Sequence, residues 1–408
     1  MSKSINRRSF LKAGAAAGLA SGASLPGIAL GNEGRVTSHG VKKYVKLGNT
    51  GLEMSDISFG ASRLREGEER LVEHAFAEGI NYFDTAESYT DGASERVVGR
   101  ALKGKRDKAI VVTKMFAGAS TSASTMMASL EASLRQLQMD YVDIFMNHAV
   151  NDIGRLENPE WFEFVEQAKR QGKIRFTGMS GHAGRLAECV DHALDKEMFD
   201  VMLLATNFGE DPKFYENFTR SFDFVANQAN LPPMLTKAKR KGVGVVAMKV
   251  LRGAKLNDMR PWEEGGSTFS QAAFRWILNN DDVDGLIVSM TSRDRIDEYL
   301  GASGTGAVTQ RDMELLKQYA KMTDATYCRH ACNDCESSCP FGVDIAGVLR
   351  TRMYATDYGD FTFAKDEYAM LDANASPCLS CDGSPCQDAC THGIDIAKVC
   401  GPTHQLLS

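Results

Sequence analysis

Residues Ile110-Val111-Val112-Thr113-Lys114 form a short apolar run ending in a lysine. An amphipathic stretch at 124–137 follows, and then a second apolar run, Val142-Asp143-Ile144-Phe145-Met146-Asn147-His148. The two runs are rich in β-branched and aromatic residues, and the stretch between them spaces its apolar side chains three and four apart. They therefore read as strand, helix, strand. A crossover of this length joins parallel strands. The same unit recurs on both sides. Apolar runs at 57–59, 81–85, 174–180, 201–207, 243–249 and 286–290 bring the number to eight, with helical patterns at 66–78, 161–171 and 269–279 between them. Eight such units predict an α/β protein whose main body, residues 41–305, is a (β/α)8 TIM barrel.

In that architecture chemistry gathers at the C-terminal ends of the strands. Asp84 and Tyr89 follow the second run, Lys114 ends the third, His148 ends the fourth and Ser180 ends the fifth. Singly, each of these is more often a scaffold residue: a salt-bridged Asp or Lys, a packing Tyr, a neutral hydrogen-bonded His. Four of them at one predicted face make a candidate site.

The chain here resembles the aldo-keto reductase family. The likeness runs through Leu47-Gly48-Asn49-Thr50-Gly51-Leu52, Phe83-Asp84-Thr85-Ala86-Glu87-Ser88-Tyr89, Ser94-Glu95 and Val112-Thr113-Lys114. It continues through Tyr141-Val142-Asp143 ahead of His148, and Gly172-Lys173-Ile174-Arg175, covering residues 42–300 in family order. The resemblance implies that Asp84, Tyr89, Lys114 and His148 are catalytic. A reduced nicotinamide would give hydride to a carbonyl carbon while the Tyr89 hydroxyl protonates the oxygen. A free tyrosine titrates at about 10, so the ammonium of Lys114, held by Asp84, would make it a usable acid, with His148 orienting the carbonyl.

For the cofactor, the resemblance implies Ser180 at the nicotinamide amide, and Ser289, Met290, Arg295 and Glu298 at the phosphate and adenine end. Arg295 favours NADPH over NADH. Three positions depart from the family: Gly181 stands where it has asparagine, Leu203 where it has glutamine, and Thr206 where it has tyrosine, although Asn207 matches.

The tail, 324–408, is of another kind. Of the ten cysteines only Cys189 lies before residue 328. Cys328-x3-Cys332-x2-Cys335-x3-Cys339-Pro340 is echoed by Cys378-x2-Cys381-x4-Cys386-x3-Cys390-Thr391. Cys335 to Cys386, Cys339 to Cys390 and Gly342 to Gly393 are each 51 residues apart, and Gly-Val-Asp-Ile-Ala after the first run matches Gly-Ile-Asp-Ile-Ala after the second. This is an internal duplication. It resembles two-cluster ferredoxins, in which the fourth cysteine of each run reaches across to the other cluster. The resemblance implies two 4Fe-4S clusters, one on Cys328, Cys332, Cys335 and Cys390, the other on Cys378, Cys381, Cys386 and Cys339. The run between the halves has helical spacing, so the tail is expected to be small and mainly helical. Zinc on four cysteines and disulfides are the competing readings.

Asn6-Arg7-Arg8-Ser9-Phe10-Leu11-Lys12, followed by an Ala/Gly/Leu-rich run, resembles a twin-arginine export signal over residues 1–32. That implies the twin-arginine export machinery as a partner and a periplasmic or other extracytoplasmic destination, to which this route carries proteins already folded around their cofactors. Charged residues at 25% and a net charge of −6 leave no basic field for nucleic acid. No apolar stretch in the body is long enough for a membrane-spanning bundle.

The expected function is an exported oxidoreductase interconverting a small carbonyl and its alcohol, with a nicotinamide, with electrons passed through the clusters to a redox partner protein, or both. One-electron clusters and a two-electron hydride donor normally need a flavin between them, and no flavin motif is present. The alternative is an electron-relay or binding protein with a degenerate barrel. Purely structural clusters are a third reading.

Overall fold

The computed structural model describes residues 40–182, 184–210, 230–252, 259–263, 267–323, 328, 332–356 and 361–408 of the chain. The export-signal-like segment at 1–32 lies outside the described residues.

A hairpin opens the fold: β1 (Tyr44–Lys46) pairs antiparallel with β2 (Glu53–Ser55), Tyr44 opposite Ser55. Eight parallel strands follow: β3 (Ile57–Gly60), β4 (Tyr82–Asp84), β5 (Ile110–Met115), β6 (Val142–Asn147), β7 (Ile174–Gly181), β8 (Val201–Ala205), β9 (Gly244–Met248) and β10 (Gly285–Ser289). They pair in chain order, and β10 returns to β3 with Leu286 beside Ile57, closing the barrel. Every one of the eight apolar runs holds a strand. Five of them overshoot it at the C-terminal end, past β4, β6, β8, β9 and β10; His148 and Lys249 stand one residue past β6 and β9, where Ala149 and Lys249 itself turn into left-handed backbone at φ 51° and 56°.

Inside the barrel, Tyr82, Val112, Ile144, Met146, Leu203, Val246 and Ile287 pack on one another and on Leu47, Leu52 and Met54 of the hairpin. Burying a side chain of this kind is worth about 1.5–3 kcal/mol, which explains why the hairpin seats firmly as a plug. It stops the N-terminal end, leaving the C-terminal mouth for chemistry.

The outer helices form by amphipathic spacing. Ala123–Leu137 buries Met126, Leu130, Leu134 and Leu137 on one stripe and is capped by Ser122, whose hydroxyl accepts from the Thr125 N–H. Its end crosses the helix Ala93–Ala101 at Gly99, where a β-carbon would lie 2.1 Å from the Leu137 carbonyl oxygen. Beyond the boundary expected at 305, the helix Gln310–Thr323 packs on Phe269–Leu278 through a 2.6 Å Arg275–Asp312 ion pair and through Tyr319 stacked 4.2 Å from Phe269.

The tail is helical, as its spacing predicts: Ile345–Thr356, Phe361–Ala369, Pro385–Ala389 and Ile396–Leu407. Its core joins Val343, Ile345, Val348, Tyr368, Ile394, Ile396 and Leu407 with Cys335 and Cys400. The duplication is also geometric. Gly342 and Gly393 are both left-handed, at φ 64° and 66°. Asp344 and Asp395 then cap the two following helices, accepting from the Gly347 and Lys398 N–H groups.

Candidate active site

At the barrel mouth Lys114 and Asp84, on neighbouring strands, are 0% and 1% exposed. The Lys114 ammonium donates to Asp84 Oδ1 and to the Thr85 carbonyl, both at 2.6 Å. Burial pulls both groups towards their neutral forms, and their mutual attraction opposes it. Asp84 Oδ2 is buried and accepts no hydrogen bond among the described residues.

Tyr89 opens the short helical turn Tyr89–Gly92, whose next residues, Thr90 and Asp91, are left-handed at φ 49° and 53°. The turn lays the ring under Lys114, its ammonium 4.9 Å from the centroid, and brings the hydroxyl within 3.5 Å of His148 Nε2. Both rings are half-buried and meet edge to face.

His148 is fixed from behind by Arg155. That guanidinium donates to the carbonyls of Ala117, Ala149 and His148 and to Asn147 Oδ1, all within 2.9 Å. Burial, then the charges of Lys114, Arg155 and Lys249, hold the imidazole well below its ordinary range, so it is neutral. Burial first, with Asp84 next, pushes the Tyr89 hydroxyl well above its ordinary value. The net lowering expected from Lys114 is not seen in this structure, because burial outweighs it. Tyr89 keeps its proton and is a donor.

The positions expected for the nicotinamide are divided. Ser180 Oγ accepts from the Ala149 N–H at 3.0 Å and retains its own proton to donate. A β-carbon at Gly181 would sit 2.5 Å from Leu186 Cδ1, so the space for an asparagine is filled. Leu203 belongs to the barrel interior, and Asn207 accepts from the Gly209 N–H. At the other end, Ser289 bonds Ser62, Met290 is buried, and Ser292 caps the helix Arg293–Leu300, in which Arg295 pairs with Glu298 at 2.6 Å. A helix start after the last barrel strand is a normal place for a phosphate.

Sequence reasoning missed the groups that come from elsewhere. The helix Ile345–Thr356 of the tail reaches the mouth, where the Lys249 ammonium donates to the Tyr354 hydroxyl at 2.6 Å. Tyr354 and Glu367 are among the ionisable groups acting on Tyr89. A second contact lies after β7, where a β-carbon at Gly184 would be 2.9 Å from Asn333 Cβ and 3.2 Å from the Cys332 carbonyl. Only the docking of the tail brings these residues together, and local spacing carries no signal of it.

The tail cysteines gather in and around one core, and their thiols act on one another across the two runs. Burial pushes the Cys332 thiol up to about 12, and Cys328 and Cys390 add to the effect. Cys328, Cys390 and Cys332 act on Cys335, and Cys339, Cys386 and Cys381 act on Cys378, while Cys390 acts on Cys386 as well. No disulfide joins any of them. Among the described residues no three His, Cys, Asp or Glu side chains close in as they would round a single ion.

A closed eight-stranded parallel barrel carrying a Tyr, Lys, Asp and His group at its mouth is the frame of a carbonyl-reducing enzyme. The profile of the Aldo/keto reductase family matches residues 56–260, and the chain belongs to that family as an oxidoreductase. It is 28% identical over 292 residues to L-galactose dehydrogenase of Arabidopsis thaliana, covering 63% of this chain and 86% of the relative. It is 23% identical over 325 residues to L-glyceraldehyde 3-phosphate reductase of Escherichia coli, covering 69% and 93%. The holo form of an aldo-keto reductase from Bacillus halodurans superposes with a TM-score of 0.54 at 21% identity, over 68% of this chain and 95% of that one. The family match ends well before the cysteine-rich tail.

Proposed function

We propose that this chain is an exported oxidoreductase that interconverts a small carbonyl compound and its alcohol, using Tyr89 as the proton donor and a tail with two 4Fe-4S clusters to exchange electrons with a redox partner protein. The observation that carries the catalytic reading is the Tyr89 hydroxyl, protonated, 3.5 Å from the neutral imidazole of His148 and beside the buried Lys114–Asp84 pair. His148 and Tyr89 orient the carbonyl oxygen between them. The Tyr89 O–H bond breaks as that oxygen takes the proton, and Lys114 steadies the phenolate left behind.

NADP(H) is the nicotinamide favoured. Ser180 would hold its amide, and Ser289, Met290, Arg295 and Glu298 its phosphate and adenine end; when bound, it supplies the hydride. In the tail, Cys328, Cys332, Cys335 and Cys390 would hold one cluster and Cys378, Cys381, Cys386 and Cys339 the other, each moving one electron when loaded. The influence of Cys390 on Cys332 and Cys335, and of Cys339 on Cys378 and Cys386, supports this division. Export by the twin-arginine route, to the periplasm or another extracytoplasmic place, is proposed from Arg7, Arg8 and the residues that follow.

A second reading, an electron-relay or binding protein with a barrel that no longer transfers hydride, is favoured by Leu186 filling the space beside Gly181. Visible and electron-paramagnetic spectra of the anaerobically purified protein, with iron content, before and after NADPH addition, separate the two. Tight NADPH binding, and carbonyl turnover lost in Tyr89→Phe, are expected. No NADPH binding, with Tyr89→Phe behaving as the parent, would favour the relay.

A further inference from the structure

Arg350 lies on the tail helix that reaches the barrel mouth, one turn before Tyr354, and is 5% exposed. Its Nε and Nη2 are buried and have no hydrogen-bond partner among the described residues. It makes no ion pair among the described residues; its charge acts on Glu336 and Tyr354 from beyond ion-pair distance. Both neighbours lie at the tail–barrel boundary: Tyr354 is bonded to Lys249, and a β-carbon at Gly184 would be 3.5 Å from Glu336 Oε1. The groups on which Arg350 acts thus take part in two contacts between the tail and the barrel.

Nε–H and Nη2–H form one edge of the guanidinium, two parallel donors spaced to meet two oxygens of a carboxylate or phosphate. A permanent cation with both donors of that edge buried and unused is costly, and a fold tolerates it where an anion arrives to complete it. The Lys249 ammonium, one helical turn away through Tyr354, adds positive charge. We infer that Arg350 is an oxyanion-binding residue where the tail meets the barrel mouth, so that the molecule entering there carries a carboxylate or phosphate group. Assigning that molecule to the reaction rests on the function proposed above; the binding itself does not.

The test uses the full chain, purified anaerobically with its tail loaded and melted in chloride buffer with inorganic phosphate, pyruvate or NADP+ added separately. The parent should melt at rising temperature as phosphate or pyruvate is added. Arg350→Gln should lose the response, and Arg350→Lys should keep a weaker one. Competition between phosphate and NADP+ for the same shift would assign the anion to the cofactor, and a pyruvate shift additive with NADP+ would assign it to the substrate. Arg350→Met is the control for folding: in chloride alone it should melt at or above the parent. The inference is overturned if parent and Arg350→Gln respond alike, or the parent responds to no oxyanion. It is equally overturned if Arg350→Met melts far below the parent, since the guanidinium would then have a partner within the protein.

Discussion

The ammonium of Lys249, one residue past barrel strand β9, donates to the hydroxyl of Tyr354 on the tail helix at 2.6 Å and lies 4.9 Å from the centre of its ring. The bond ties two segments 105 residues apart at the edge of the catalytic mouth. A charged hydrogen bond of this kind contributes about 1.5 kcal/mol, at the low end because Lys249 is half-buried. Tyr354→Phe should therefore lower stability by about that amount in chemical denaturation. Paired with Lys249→Met in a double-mutant cycle, it should reveal a coupling of ~1 kcal/mol. Additive losses would mean that the contact does not hold the tail down.

The buried Lys114–Asp84 pair behaves differently from a surface bridge. Taking away one partner strands the other charge among apolar neighbours, which costs about 3–5 kcal/mol, whereas removing both lifts much of that penalty. Lys114→Met is expected to be the least stable variant at the site, and Asp84→Asn with Lys114→Met to recover part of the loss. Denaturant midpoints of the singles and the double measure it. Activity should be absent from every variant lacking Lys114, whatever its stability.

His148 titrates below its ordinary value in the folded protein, because burial and three nearby cations disfavour its charge. The unfolded chain therefore binds the proton more readily. Stability from this group is complete above about pH 6.5 and is lost as pH falls towards the lower folded value, with a slope of at most ~1.4 kcal/mol per pH unit. Denaturation midpoints of the parent and of His148→Gln between pH 7 and 5 should diverge, the variant falling less steeply. Parallel curves would mean that the histidine gains its proton in the fold as easily as outside it.

The barrel was legible because each strand carries its own signal: Val142–Asn147 and Ile110–Met115 are mostly apolar and are buried from end to end, as strands covered on both faces are. Asp84, Tyr89, Lys114 and His148 were legible because strand ends map to one face. The neutral, Arg155-gripped state of His148 and the protonated state of Tyr89 were not, since they depend on burial summed over distant elements. Lys249 read only as the end of a strand. Tyr354, Glu367 and Arg350 read only as part of a helical linker between cysteine runs, because a docking surface leaves no periodicity in the sequence that forms it.

Gly181 offers a direct test of why the nicotinamide end departs from the family. Gly181→Asn alone should destabilise the protein by about 1–3 kcal/mol, since its β-carbon meets Leu186 Cδ1 at 2.5 Å and the Val150 carbonyl at 3.2 Å. Adding Leu186→Ala makes room for the amide. The double variant should then bind NADPH more tightly than the parent in fluorescence quenching. Unchanged affinity would mean that this corner does not face the cofactor.

The duplicated tail predicts a crossing that equilibrium spectra can read. Cys390 lies in the second cysteine run yet acts on Cys332 and Cys335 as well as on Cys386, and Cys339 lies in the first yet acts on Cys378 and Cys386. Each cysteine replaced by alanine should cost one cluster, roughly half of the bound iron. The decisive comparison is between spectra. Cys390→Ala should reproduce the electron-paramagnetic signature of Cys332→Ala, and Cys339→Ala that of Cys381→Ala. If Cys390→Ala instead matches Cys381→Ala, each run wraps its own cluster, and the exchange of fourth cysteines between the halves is wrong.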